Sequence, residues 1–220
     1  LATHEGIIAN PNCSTIQMLV ALAPIHRELK IRRVVVSTYQ AVSGSGIAAI
    51  EELSLQSRAV LEQENAEARV YPHRIAFNAL PHIDVFVEEG YTKEEMKMFN
   101  ETRKIMHSDV QVSSTCVRIP ILRAHSEAIW VETERPISVE EAREGFARAA
   151  GIQVIDDPDK NDYPMPLFLS GEDEVYVGRI RADLANPNGL TFWAVADQIR
   201  KGAALNAVQI AETLVAMDLV

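Results

Sequence analysis

Residues 10–40, NPNCSTIQMLVALAPIHRELKIRRVVVSTYQ, hold a turn, a helix and a strand in direct succession, and their reading decides the fold. From Thr15 to Leu29 the apolar spacing is helical, with Ile16, Leu19, Val20, Ala23 and Ile25 available for one face. Ile31 to Gln40 is rich in β-branched residues and short enough for a strand buried on at least one face. Ahead of the turn, Ile7-Ile8-Ala9 reads as the end of a short apolar strand. Cys13 therefore falls where the Asn10-Pro11-Asn12 turn feeds a helix N-terminus. Unpaired N–H groups and the positive end of the helix dipole favour a thiolate there. A thiolate is the nucleophilic form, so the position suits covalent chemistry. On this stretch alone, a buried and inert cysteine beside an Asn cap is the competing reading.

The wider composition narrows the field. The 220 residues are 47% hydrophobic and 24% charged, ordinary for a globular chain with a sizeable core. Basic and acidic residues number 21 and 31, a net charge of −10, which speaks against nucleic acid or an anionic membrane as partner. Two cysteines, Cys13 and Cys116, do not make a disulfide framework and suit a reducing cytoplasm. No run approaches the ~20 apolar residues of a membrane span, and no signal peptide is visible. The chain begins at Leu1, which suggests a segment of a longer protein.

Farther along, a glycine-bearing turn at Ala41–Gly46 leads to a helix over 47–64, and an ordered loop over 65–81 follows. The apolar tail 77–84 is expected to pack on the sheet. Thr92 to Met106 is a helix opened by a capping box of Thr92 and Glu95. Strands are expected over 110–119 and 121–132, broken by Pro120, and a helix runs from Ser138 to about Gly151. A short strand over 152–156 precedes a polar loop, and strands over 175–184 and 190–196 flank a turn at 186–189. A helix over 203–217 closes the chain. The sum is an α+β domain with a mixed, largely antiparallel sheet and helices on one face. The other face of such a sheet is free to meet a partner subunit. No Gly-x-Gly-x-x-Gly follows a strand, so a dinucleotide-binding fingerprint is lacking.

Several residues stand out for their chemistry. His125 lies in a strand-like run seven residues after Arg118, and both are able to face one cleft across the Pro120 break. Arginine supplies a planar fork for a carboxylate. Glu94 and Lys97 share a helix face, either as a routine surface pair or as an anion and a cation for a zwitterionic, phosphorylated ligand. Gln40 is a polar residue where the chain leaves the sheet, and turn capping would also explain it. The cysteines and histidines show no metal-ligand spacing.

Five blocks in order resemble aspartate-β-semialdehyde dehydrogenase: Asn10–Gln17, Ser37–Gly44, Gly90–Lys97, Cys116–Ser126 and Lys201–Ala211. N-acetyl-γ-glutamyl-phosphate reductases share the cysteine logic but usually place Tyr after it, where this chain has Ser14. The resemblance implies a C-terminal domain of the glyceraldehyde-3-phosphate-dehydrogenase type, spanning 1–220 as catalytic and dimerisation domain. It implies Cys13 as the nucleophile that forms a thioester, Gln40 as the residue orienting substrate, and His125 as acid/base. Arg118 would grip the substrate α-carboxylate, Glu94 its α-ammonium and Lys97 its phosphate, with Asn12 beside them. Ser43, Gly44 and Asn206 fall in segments that approach NADP in the family. Implied partners are aspartyl phosphate, aspartate semialdehyde, phosphate and a second copy of the chain. Implied work is the cytoplasmic synthesis of lysine, threonine, methionine and isoleucine.

The family places a Rossmann domain before the Asn-Pro-Asn-Cys turn, and the 220 residues do not contain it. Residues 203–220 would form the helix that packs on that domain, and the chain alone is expected to turn over little. A dimerisation module with an idle site is the alternative reading. A Cys-His hydrolase uses Cys13 and His125 but gives no work to Arg118, Glu94 and Lys97.

Overall fold

The computed structural model describes residues 1–219. At its centre is α1, Cys13–Leu29. The Asn12 side-chain oxygen accepts from the N–H groups of Ser14 and Thr15 at 3.1 Å each, pairing two of the donors that a helix start leaves free. The buried surface of α1 is wider than one stripe: Met18, Ala21 and Leu22 are enclosed as well as Ile16, Leu19 and Ile25, while Val20 and Ala23 are half-buried. Both helices and strands pack on it, so periodicity gives only part of its contacts.

β1 (Ile31–Gln40) follows, then α2 (Ile47–Leu61), α3 (Lys93–Met106) and β2 (Gln111–Arg118). Next come β3 (His125–Thr133), α4 (Val139–Arg148), β4 (Ile152–Val154), the single turn α5 (Pro166–Leu169), β5 (Val175–Ala182), β6 (Gly189–Ala196) and α6 (Leu205–Ala216). The six strands form one sheet in the order β2-β1-β3-β6-β5-β4. β1–β2 and β4–β5 are parallel, and the other three pairings are antiparallel. This is the mixed, mostly antiparallel α+β sheet that the sequence predicts.

α3 and α4 each lie against α1, and all three lie against the sheet. The core between them holds Met18, Leu22, Ile25, Val34, Val36, Ile129, Val131, Phe146 and Phe192. Phe146 of α4 and Phe192 of β6 meet with ring centroids 5.1 Å apart. Phe146→Ala is expected to cost about 3–5 kcal/mol, because it removes a fully buried ring that the sheet cannot collapse to replace. A lower urea midpoint with an unchanged slope would report it. On the opposite face Tyr39, Trp130 and Trp193 are only half-buried, and the Tyr39 and Trp193 rings lie 5.4 Å apart.

The capping box at Thr92 and Glu95 forms with both hydrogen bonds. The loop over 65–81 is ordered by α2, since Glu52 accepts from the Arg69 N–H at 2.9 Å and Gln56 from those of Ile75 and Ala76. The tail 77–84 reaches the sheet through a Leu80–Arg118 bridge and buried Ile83. Ile7–Ala9 is not a strand: no sheet edge lies beside it, and Ile7 is 94% exposed. The expected strand over 121–132 starts only at His125, because Ile121–Ala124 turns and Ala124 takes a positive φ. α2 stops at Leu61 rather than residue 64 and β4 at Val154 rather than 156; the loop after β4 contains α5. Before α6 the chain makes a wide turn at Arg200–Ala204. Val220, at the end of the segment expected to be helical, lies outside the described residues.

Candidate active site

The sheet brings three of the chemistry-bearing residues to one end. β1 and β2 run parallel and finish together, with Gln40 opposite Arg118. β3 starts at that end, its Ser126 opposite Tyr39, so His125 joins them. The N-termini of α1 and α3 arrive at the same place, carrying Asn12, Cys13 and Glu94. Other surface clefts lie elsewhere, a small one lined by Trp193, Arg179 and Arg181 and a larger one by Tyr91, Phe99 and Val112.

Glu94 is the hub. One carboxylate oxygen accepts from Asn12 Nδ2 at 2.9 Å and from Gln40 Nε2 at 3.1 Å. The other lies 3.4 Å from Lys97 Nζ, which also meets Asp84 at 3.1 Å. Glu94 is buried, so this is no solvated surface pair. Thr38 Oγ1 donates to Gln40 Oε1 at 2.8 Å and Glu101 accepts the Asn12 N–H at 2.8 Å. Each amide is thereby held in a single orientation. Asn12 ties the start of α1 to the start of α3.

Arg118 and His125 are joined through the backbone of one residue, Ala41. The Ala41 carbonyl accepts from Arg118 Nη1 at 2.6 Å, and the Ala41 N–H donates to His125 Nδ1 at 3.0 Å. Nδ1 is then an acceptor, so the neutral imidazole carries its proton on Nε2. Burial first, then the charge of Arg118, hold the His125 pKa well below the usual histidine value. Nε2 is buried without a partner, as is Nε of Arg118. Two donors are thus left free at the site, aimed at no protein acceptor. The Arg118 guanidinium carbon sits 5.9 Å from the centre of the Tyr71 ring. Gly44 faces the same pair: a Cβ there would come 3.1 Å from Arg118 Nη1 and 3.4 Å from His125 Nε2.

Cys13 departs from its sequence reading. Burial first, and next the charge of Glu94, push its thiol up to about 11, while the Ser14 N–H and Arg118 pull the other way. The helix start does favour the thiolate, but desolvation and one carboxylate outweigh it. Alkylation of Cys13 by iodoacetamide is therefore expected to climb about tenfold per pH unit through pH 8–10, past the ~8.5 of a free cysteine. Glu94→Gln should move the midpoint down; an unchanged midpoint would show that Glu94 does not act on the thiol.

Gly202 packs on Cys13, where a Cβ would meet Cys13 Cβ at 3.1 Å and Gln198 Cβ at 3.3 Å. Gln198 was not singled out from the sequence. It donates to Ser43 Oγ at 2.5 Å and accepts the Ala124 N–H at 2.9 Å, pinning the turn that presents His125. A pair of polar residues, Asp197-Gln198, closing an apolar strand was the available signal. Asn206 lies farther out, donating to Asn10 at 2.8 Å and accepting from Lys201 at 3.0 Å. The structure thus gathers Asn12, Cys13, Gln40, Glu94, Lys97, Arg118, His125 and Gly44, with Ser43 and Asn206 bonded within the chain at the rim. Cys116 is a core residue, its thiol raised by burial and packed on Met98.

A family profile described as "Semialdehyde dehydrogenase, dimerisation domain" matches residues 22–201. An aspartate-semialdehyde dehydrogenase of Aquifex aeolicus is 62% identical over 218 residues, 98% of this chain and 64% of that protein. One from Synechocystis is 52% identical over 96% of this chain and 63% of its own length. The chain therefore spans somewhat under two thirds of these relatives. A crystal structure of aspartate semialdehyde dehydrogenase II from Vibrio cholerae, described as complexed with ASA, superposes with a TM-score of 0.93 at 48% identity, covering 96% of this chain and 62% of that one. A Candida albicans enzyme described with NADP superposes at 0.73 and 25% identity, covering 97% and 59%. Among the described residues no helix is long and apolar enough to cross a membrane.

Proposed function

The chain belongs to the semialdehyde dehydrogenase family, and from that premise we propose that its converged residues are the acyl-transfer site of an aspartate-semialdehyde dehydrogenase. The observation that carries the reading is the placement of a cation, an anion and a neutral donor around one cysteine. In the proposed reaction Arg118 pairs with the α-carboxylate of L-aspartyl-4-phosphate, Glu94 with its α-ammonium and Lys97 with its phosphate. Gln40 and Asn12, locked on Glu94, set the floor on which the acyl carbon rests.

The Cys13 sulfur bonds to the acyl carbon as the carbon–oxygen bond to phosphate breaks. The thiol proton leaves on the departing hydrogen phosphate, because His125 offers a proton rather than a lone pair. The His125 Nε2–H donates to the carbonyl oxygen while that oxygen carries charge. His125 thus takes the acid half of the acid/base role implied by the resemblance. The product is a Cys13 thioester.

NADPH, when bound, would supply the hydride that reduces this thioester to aspartate-4-semialdehyde, which feeds cytoplasmic synthesis of lysine, threonine, methionine and isoleucine. Gly44 fits a flat group beside His125, since any Cβ there would fill the space. Ser43 and Asn206 already spend hydrogen bonds on Gln198 and Asn10, so they would line the rim. With no Gly-x-Gly-x-x-Gly after a strand, these 220 residues alone are expected to form little NADPH from the semialdehyde. The half-buried aromatic face of Tyr39, Trp130 and Trp193 is proposed as the seat of a second copy.

Aspartate semialdehyde is expected to protect Cys13 from iodoacetamide by occupying the site, and Arg118→Leu to lose that protection. An idle-site module predicts equal alkylation with and without the aldehyde, and that result would overturn the proposal.

A further inference from the structure

One buried acid has no part in the reaction above. Glu127 is fully enclosed on β3, and neither carboxyl oxygen has a well-formed hydrogen bond or ion-pair partner. Gln17, fully enclosed on α1, likewise has both amide atoms outside good hydrogen-bond geometry. α1 packs on β3, and Gln17 is the side chain whose amide acts on the Glu127 carboxyl.

Their positions are specific. Gln17 lies four residues after Cys13, one helical turn below it on the same face. Glu127 lies two residues after His125, on the same side of the sheet. Directly across the ladder from Glu127 is Thr38, the residue that orients Gln40. The pair therefore sits under the nucleophile, the donor and the substrate-orienting amide at once.

We propose that Gln17 and a protonated Glu127 form a positioning pair that sets the start of α1 against the start of β3, and so fixes Cys13 relative to His125. A carboxylic acid and a carboxamide are complementary in both directions. The acid O–H donates to the amide oxygen and the amide N–H donates to the acid carbonyl. A carboxylate accepts only, and would leave the Gln17 oxygen unpaired in a dry interior. Burial holds the Glu127 pKa well above the usual carboxylate range, with the Gln17 amide opposing it more weakly. The titratable groups toward this end of the surrounding elements include Cys13 on α1, Tyr39 on β1, Glu94 and Glu95 on α3, Cys116 and Arg118 on β2, and His125 on β3 itself. None of them pairs with the Glu127 carboxyl.

The inference rests on the acyl-transfer reading for its catalytic consequence, and its test separates the two. Glu127→Gln keeps a neutral, complementary pair, as does the exchange Gln17→Glu with Glu127→Gln. Gln17→Leu leaves the acid alone. The first arm is thermal unfolding of this chain between pH 4.5 and 8. A raised folded pKa means that the wild-type stability is full below the unfolded pKa and is lost as pH rises toward the folded one. Glu127→Gln lacks this loss, so its folding constant should gain on wild type by up to about tenfold per pH unit from 4.5 until the folded pKa is reached. A Glu127→Gln variant that loses stability relative to wild type as pH rises would show an ionised, paired Glu127 and overturn the proposal.

The second arm compares two rates at Cys13: acylation by aspartyl phosphate, which needs His125 in place, and alkylation by iodoacetamide, which does not. Gln17→Leu is expected to slow acylation at least tenfold more than alkylation, with Glu127→Gln and the exchange variant near wild type. Equal slowing of both rates in Gln17→Leu would reduce the pair to ordinary packing and overturn the positioning role. If wild type itself is not acylated, the acyl-transfer reading fails and takes the positioning role with it, while the pairing is still decided by the first arm.

Discussion

Cys13→Ser is expected to abolish acyl transfer from aspartyl phosphate, lowering phosphate release by about 10⁴-fold or more. The hydroxyl is far less nucleophilic than the thiol, and the site offers it no base. His125 has its lone pair engaged by the Ala41 N–H, and Glu94 is already tied to Asn12, Gln40 and Lys97. Serine is at home in the first turn of a helix, so the fold and the Asn12 cap should persist. Substrate affinity should persist too, since Arg118, Glu94 and Lys97 are untouched. Phosphate release in a rapid-mixing experiment checks the rate, and protection of the fold by substrate against urea checks binding. A serine variant within tenfold of wild type would mean that the acyl group never reaches residue 13.

His125→Ala should cost about 10²–10³-fold in the same assay, the usual consequence of removing one preorganised donor from a developing oxyanion. The pH profile distinguishes a donor from a base. Because burial and Arg118 keep the imidazole neutral, the wild-type rate should show no limb near pH 6.5, and His125→Ala should lower the whole profile without changing its shape. A limb near 6.5 that vanishes in the variant would make His125 a base. Substitutions of Asn12 and Gln40 are expected to have smaller effects, because each is held on Glu94 and orients substrate without donating to the developing oxyanion.

Much of this was legible in the chain. The turn–helix–strand run 10–40 placed α1 and β1 almost to the residue, because capping chemistry and β-branched spacing are local signals. The capping box at Thr92 and Glu95 likewise fixed α3. What the sequence could not show depends on contacts between distant elements. Val20 and Ala23 are less enclosed than Met18 and Leu22, since α1 is covered by helices as well as by strands. Ile7–Ala9 has strand-like composition but no strand to pair with. Glu94 and Lys97 look like any helix-surface pair until the sheet end arrives beneath them. The charge state of Cys13 is the clearest case. The helix N-terminus is visible in the sequence, whereas the burial and the Glu94 carboxylate that outweigh it come from 81 residues away in the chain. Gln17, Glu127 and Gln198 read as incidental polar residues in apolar runs, and only the fold brings them under the site.

The central claim is that Cys13 accepts an acyl group from an acyl phosphate held by Arg118 and Glu94. Mass spectrometry of the chain mixed briefly with aspartyl phosphate and quenched in acid tests it directly. The account predicts one aspartyl group on the peptide bearing Cys13, labile to hydroxylamine and absent from Cys13→Ser, with one phosphate released per chain. Phosphate release without acylated peptide, or an acyl group on any residue other than Cys13, would contradict it.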